Sequence, residues 1–389
     1  MSRHYTSTTR RRRSIATVAT LLIAALAFAG SERAASAAGS TGPTLEEVPI
    51  SLLAKPADMK SGPDGKMWFT ELTGNNIGNI DPVTKKVTEY PMPVPACVPY
   101  AINGAPGNNI WFTAVGPGCN AIGQMDLATK KITLHRIPTL QAHPADLKVG
   151  PDGALWFTEL VGNKIGRFDT TTFEFEEFPL PRLAALPQDI AVIGDNKVWF
   201  SEQGSNRLSN IDVTTKQIES YPYPTPLAQV LDIDPGADGK TIWFAEIVGN
   251  KVGKFDPVTK KFTEYNSPTL ASSPFTISAG PDGAMYFTML TGRGVGRVDP
   301  VTGKVTRTQL HVAALDASRY LVPASDRRCP GWGLPAWHLA VLLRPGSGQG
   351  GRPDSVTDPL GCSERPHPAL TQCGETGDGP ERSVASSMS

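Results

Sequence analysis

Sustained 3.6-residue hydrophobic periodicity is missing from this 389-residue chain, and that excludes a solenoid of helical repeats. Apolar runs long enough to cross a bilayer are missing as well, except for Ile15 to Gly30 near the N-terminus. Net charge is absent: 37 basic residues balance 37 acidic ones. Residues 1–37 hold six of the basic residues and one acid, so the remaining 31 basic and 36 acidic residues net −5. No basic patch suited to nucleic acid or an anionic membrane follows from that balance. Histidine is scarce too: between the two ends only His135, His143 and His311 are available. A reaction that needs an imidazole base therefore has few candidates.

The N-terminus accounts for the basic excess. Arg10 to Arg13 precede the apolar run, and the small residues "AASAAG" follow from Ala34. This is the pattern of a secretory signal peptide over residues 1–37, which predicts a secreted protein with no membrane attachment after cleavage.

What is abundant is repetition. An aromatic-Phe pair returns as Trp68-Phe69, Trp111-Phe112, Trp156-Phe157, Trp199-Phe200, Trp243-Phe244 and Tyr286-Phe287, at intervals of 43, 45, 43, 44 and 43 residues. A period in the low forties with several short strands per unit is β-propeller spacing. In the first unit, strands are predicted over about 57–61, 66–71, 76–81 and 87–90. The turns between them ("GPDG", "GN", "DPVTKK") carry the residues that tight turns require. A Pro-rich crossing loop leads to each next unit. Six complete units span 56 to about 310. "TLEEVPISL" from Thr44 resembles a fourth strand without its first three, which predicts a ring closed by that strand. The fold class expected is therefore all-β: a seven-bladed propeller over 44–310 with six readable blades and an incomplete seventh. The period is lost over 311–389, a tail that reads as disordered or mis-framed.

Two positions change between units. Three residues after the Trp stand Glu71, Ala114, Glu159, Glu202, Glu246 and Met289; at the start of the first strand stand Asp58, Ala101, Asp146, Asp189, Asp232 and Thr276. The two acids occur together in units 1, 3, 4 and 5 and neither occurs in 2 and 6. A four-residue turn at 62–65 would place Asp58 opposite Phe69, with Glu71 its diagonal neighbour near the ring axis. Carboxylates about 6 Å apart repel by roughly 3 kcal/mol at an effective dielectric near 20. Glu71, Glu159, Glu202 and Glu246 with Asp58, Asp146, Asp189 and Asp232 are thus candidate ligands for a divalent cation. Neutralisation by Lys60 and Lys148 is the structural alternative for two of the pairs. Unit 2 instead has Cys97 and Cys119 on one face of one blade, a disulfide in a secreted protein; a free thiol nucleophile has no histidine beside it.

The quoted strings "GPDGKMWFTE", "GNKIGRFD" and "VTEYPMP" resemble the repeats of the virginiamycin B lyase (streptogramin lyase) family over about 44–310. The resemblance implies a seven-bladed propeller and magnesium-assisted elimination that opens the ester of a cyclic depsipeptide antibiotic, a resistance activity. A histidine base and metal-binding glutamates on the central face belong to that picture. It also implies a monomer that takes a small-molecule or peptide ligand on that face. The family pattern often has His directly after the Pro that opens the first strand. The matching residues here are Ala57, Tyr100, Ala145, Gln188, Leu231 and Phe275. His143, in a crossing loop, is the remaining candidate base. A lyase, a non-catalytic binding propeller and a metal-dependent lactonase all stay open.

Overall fold

The computed structural model describes residues 44–50, 54–309 apart from 105, 281 and 293, then 320–323 and 339–344. The leader reading (1–37) and nearly all of the tail reading lie outside the described residues. Chain contacts separate 1–346 from 347–389, and every described residue belongs to the first unit.

Six four-stranded antiparallel sheets succeed one another, each with its strands in chain order. Blade 1 comprises Pro56–Ser61, Met67–Glu71, Asn76–Ile80 and Val87–Pro91. Blades 2 to 6 span 99–136, 144–179, 187–222, 230–266 and 274–309. The first strand of each blade packs beside the first strand of the next, so these strands surround a central axis. Phe275 and Leu290 of blade 6 reach the apolar cluster of blade 1 around Met59 and Phe69. No helix occurs among the described residues.

Period-2 alternation on the second strand explains the aromatic pair. Trp156 packs forward against Ile190, Val198 and Phe200 of blade 4, while Phe157 packs back against Trp111 and Ile122 of blade 2. Each of the five interfaces between successive blades receives one such plug from each side. Across the sheet, Gly166 lies opposite Phe157. A Cβ at Gly166 would stand 2.0 Å from Phe157 Cζ, so the ring needs glycine there. The "GN" turns also have a definite task. Asn163 takes left-handed backbone (φ 56°), its Nδ2 donates to Arg182 O at 2.8 Å, and its Oδ1 accepts from Ala185 N at 2.8 Å. Each such Asn clamps the crossing loop that leaves its blade, as Asn75 and Asn250 repeat, and Asn206, which follows Ser205, does the same.

A seventh four-stranded blade is not formed among the described residues. Thr44–Pro49 pairs antiparallel with Leu339–Arg344, which pairs in parallel with Tyr320–Pro323. The opening strand does pair with a C-terminal one, in a three-stranded sheet that departs from blade topology.

Central cavity and crossing-loop face

The axis contains a cavity of about 90 Å³ lined by the first strands of all six blades. Its upper layer is the set Ala57, Tyr100, Ala145, Gln188, Leu231 and Phe275, and the next layer brings in Asp58, Asp146, Asp189 and Asp232. Below them lie Lys60, Lys148 and Asp234.

The aspartates are placed by a β-bulge. In blade 1 Pro56 faces Glu71, yet Met59 rather than Asp58 faces Phe69, with the register shift in between. The expected diagonal pairing of Asp58 with Glu71 is therefore corrected: the first turn is one residue longer, and Asp58 sits in the bulge with its carboxylate turned to the next blade. Its Oδ2 accepts from Ile102 N of blade 2 at 2.9 Å. Asp146 accepts from Ile190 N at 3.2 Å, Asp189 from Ile233 N at 2.7 Å, and Asp232 from Ile277 N at 2.5 Å. These four carboxylates fasten blade to blade. No hydrogen bond among the described residues links them to the glutamates.

Electrostatics in the cavity are tense. Burial, reinforced by Asp189 and opposed by Lys148, pushes Asp146 up to about 7. Burial and Asp232 push Asp189 to about 7, and burial with Asp234 pushes Asp232 to about 6. Lys148 pairs with Asp146; burial disfavours its ammonium, yet Asp146, Asp189 and Asp58 together raise its pKa. Since each raised carboxyl prefers its proton in the folded state, stability from this group is full below about pH 4 and is lost as pH rises through 6 to 7. At pH 8, Asp189→Asn keeps an acceptor for Ile233 N–H and removes a charge. Asp189→Ala orphans that N–H and should be about 1–3 kcal/mol less stable than the Asn variant. Equal denaturation midpoints for the two would remove the fastening role.

The glutamates lie elsewhere. Glu71, Glu159, Glu202 and Glu246 are fully buried on the blade face that carries the Phe plug, and none lines the cavity. Asn76 Nδ2 donates to Glu71 at 2.8 Å; Ser205 and Ser209 donate to Glu202. The expected convergence of these acids on the axis is not what the fold does. Acids that sequence reasoning passed over stand eighteen residues on, Glu89, Glu177 and Glu264 on the outer strands, and their charge adds to burial in raising Glu71, Glu159 and Glu246. Their recurrence at that fixed offset was the available signal. Magnesium takes near-octahedral oxygen ligands and keeps several waters. Here Asp58, Asp146, Asp189 and Asp232 each already hold a backbone N–H, Asp234 accepts from Ser278 Oγ at 2.6 Å, lysine shares the space, and the glutamates are sealed in blade interfaces. No group of three or more His, Cys, Asp or Glu is gathered for a metal among the described residues. The residues do not fit the ion.

Of the three central histidines, His311 lies outside the described residues. His135 stacks on Phe173 at 4.8 Å between ring centroids on the outer strand of blade 2, remote from the axis. His143 stands in the crossing loop into blade 3, in left-handed backbone (φ 53°), two residues before the cavity-lining Ala145. Cys97, in the crossing loop into blade 2, is bonded to Cys119 in that blade's next turn on the same face, with Cα atoms 5.1 Å apart.

Around the mouth, the crossing loops present apolar tips. Leu140, Leu183, Leu227 and Leu270 are 89%, 95%, 73% and 93% exposed, one in each loop entering blades 3 to 6. Val161 and Val248, in turns on the same face, are also exposed.

The sequence model of the virginiamycin B lyase family matches residues 39–240 and 213–326. This chain belongs to that family. Among solved structures, the virginiamycin B lyase of Staphylococcus aureus shares 29% identity at a TM-score of 0.65, covering 69% of this chain and 89% of that one. A structure described as streptogramin B lyase shares 28% at 0.67, covering 78% and 98%. A catalytically inactive histidine-to-alanine variant of the S. aureus lyase, with quinupristin, shares 28% at 0.65, covering 70% and 91%. The extracellular domain of a putative hybrid two-component system from B. thetaiotaomicron, 15% identical at a TM-score of 0.58, shares the fold alone. No curated protein matches the chain.

Proposed function

We propose that this member of the virginiamycin B lyase family binds an apolar, peptide-like ligand across its crossing-loop face without turning it over. The observation that carries this reading is the crown of four exposed leucines on clamped loops around the mouth. Solitary exposed apolar residues are ordinary, but a set of them in equivalent loops on one face marks a contact surface. A cavity of about 90 Å³ is well below the roughly 300–1,000 Å³ of a drug-sized pocket, so the ligand body rests on the crown and only a small group enters the axis. Elimination needs a base near the scissile ester, and the six upper-layer residues at the mouth include no imidazole. The inactive relative crystallised with quinupristin is one analogue of such a state. The leader pattern and the Cys97–Cys119 bond support export to an oxidising compartment.

Quinupristin tests this directly. Calorimetry should show saturable binding, and chromatography with mass spectrometry should return the ligand unchanged. Leu140→Glu with Leu183→Glu should weaken binding at least tenfold, on the order of 1.4 kcal/mol. A later-eluting or earlier-eluting product of unchanged mass would mean elimination within the ring, with His143 the first base to replace. A product heavier by one water would mean hydrolysis by a lactonase. Absence of binding would remove the ligand reading.

A further inference from the structure

We infer that Glu159 and Glu246 each share a proton with a second glutamate, Glu177 and Glu264, and that these carboxyl pairs, in place of a metal, fasten the crossing loops into blades 3 and 5. Both oxygens of Glu159 and of Glu246 are buried with no donor among the described groups. Glu159 lies directly across from Lys164, whose Nζ donates to Glu177 at 2.8 Å. Glu246 lies across from Lys251, whose Nζ donates to Glu264 at 2.7 Å. The two carboxyls of each pair thus gather about one lysine and bear on each other. Two carboxylates are acceptors only, so a bond between them needs a proton on one.

The second glutamate of each pair reaches the loop. Glu177 accepts from Thr139 N and Thr139 Oγ1, both at 2.9 Å, and Lys164 Nζ donates to it at 2.8 Å. Glu264 repeats the arrangement with Thr225 N at 3.1 Å and Lys251 Nζ at 2.7 Å. Thr139 and Thr225 sit in the loops that display Leu140 and Leu227. The charged groups bearing on Glu159 are Glu177 and Lys164, and the blade 2 side brings Trp111, Ile122 and Ile137. Glu246 faces Glu264 and Lys251. From the blade 4 side come Trp199 and Leu208 and the buried Tyr223, whose hydroxyl has no partner among the described groups and feels the Glu246 charge.

Burial, then the neighbouring glutamate, raises Glu159 to about 7 and Glu246 to about 8. A raised folded value means the fastening is complete below the ordinary carboxyl range and is lost as pH climbs through 7 to 8. The second negative charge then repels Glu177 or Glu264 and competes for the lysine beneath the loop.

Infrared difference spectra of the whole protein at pH 6.5 should show a protonated-carboxyl carbonyl band that shrinks in Glu159→Gln and shrinks further with Glu246→Gln added. The amide of glutamine donates to the second glutamate as the protonated acid does. The melting temperature of the parent should therefore fall on the order of 5 °C more than that of the double variant between pH 6 and 9, and magnesium should shift neither. In the parent alone, hydrogen exchange at Thr139 and Thr225 amides should accelerate above pH 8 beyond the intrinsic base-catalysed rate. A band unchanged by both substitutions, a magnesium-induced rise in the parent's melting temperature that the double variant lacks, or threonine exchange that follows the intrinsic rate would each overturn the inference.

Discussion

Trp156→Ala should lower the free energy of unfolding by about 3–5 kcal/mol, the range for truncating a fully buried aromatic. Trp156 is 0% exposed and spans from blade 3 to the Ile190, Val198 and Phe200 cluster of blade 4. Its ring stacks on Phe178 at 5.5 Å between centroids, and its Nε1 donates to Asp152 Oδ1 at 2.9 Å. Lys216 Nζ lies 5.0 Å from the ring centroid on the side of the next blade. No backbone shift can refill a slot whose walls are two separate sheets. Trp156→Phe fills most of the volume and should cost less than half as much. Denaturant midpoints of the three proteins would decide it. A loss below about 1 kcal/mol for the alanine variant would show that the blades re-pack freely and that the repeat does not depend on its plugs.

Cys97→Ala with Cys119→Ala should lower stability by about 3 kcal/mol, the chain-entropy value for a loop of this size, since the two are 22 residues apart in sequence. The bond has a local reason. In blade 2, Ala114 and Leu134 occupy the places that Glu159 and Glu177 hold in blade 3. Blade 2 therefore has no carboxyl pair under its incoming loop, and the disulfide ties that loop down instead. Reductant should bring the parent to the stability of the double variant and leave the variant unchanged. Equal stability of oxidised parent and variant would mean that Asn75, which donates to Val94 O at 3.0 Å, holds the loop by itself.

Sequence by itself determined the repeat unit, its strand order and the plugs. Period, turn residues and alternation are local properties, and each blade repeats the same solution to burying two faces of a small sheet. The six Trp/Tyr-Phe pairs, the "GN" turns and the first-strand prolines all fell where the spacing placed them. It could not determine which way the acids point. A single bulge after Pro56, repeated in later blades, shifts the register by one residue, and a one-residue shift sends a side chain to a different face. Asp58 and Glu71, neighbours on an unbulged ladder, are thereby parted: one turns to the axis and the next blade, the other into the interface behind. The partners of both sets come from other blades or other strands, as Ile233 N does for Asp189 and Glu177 for Glu159. Whether a carboxylate finds a backbone N–H of the next blade or a second carboxyl is settled only in the assembled ring, because those neighbours lie 18 to 45 residues away in sequence.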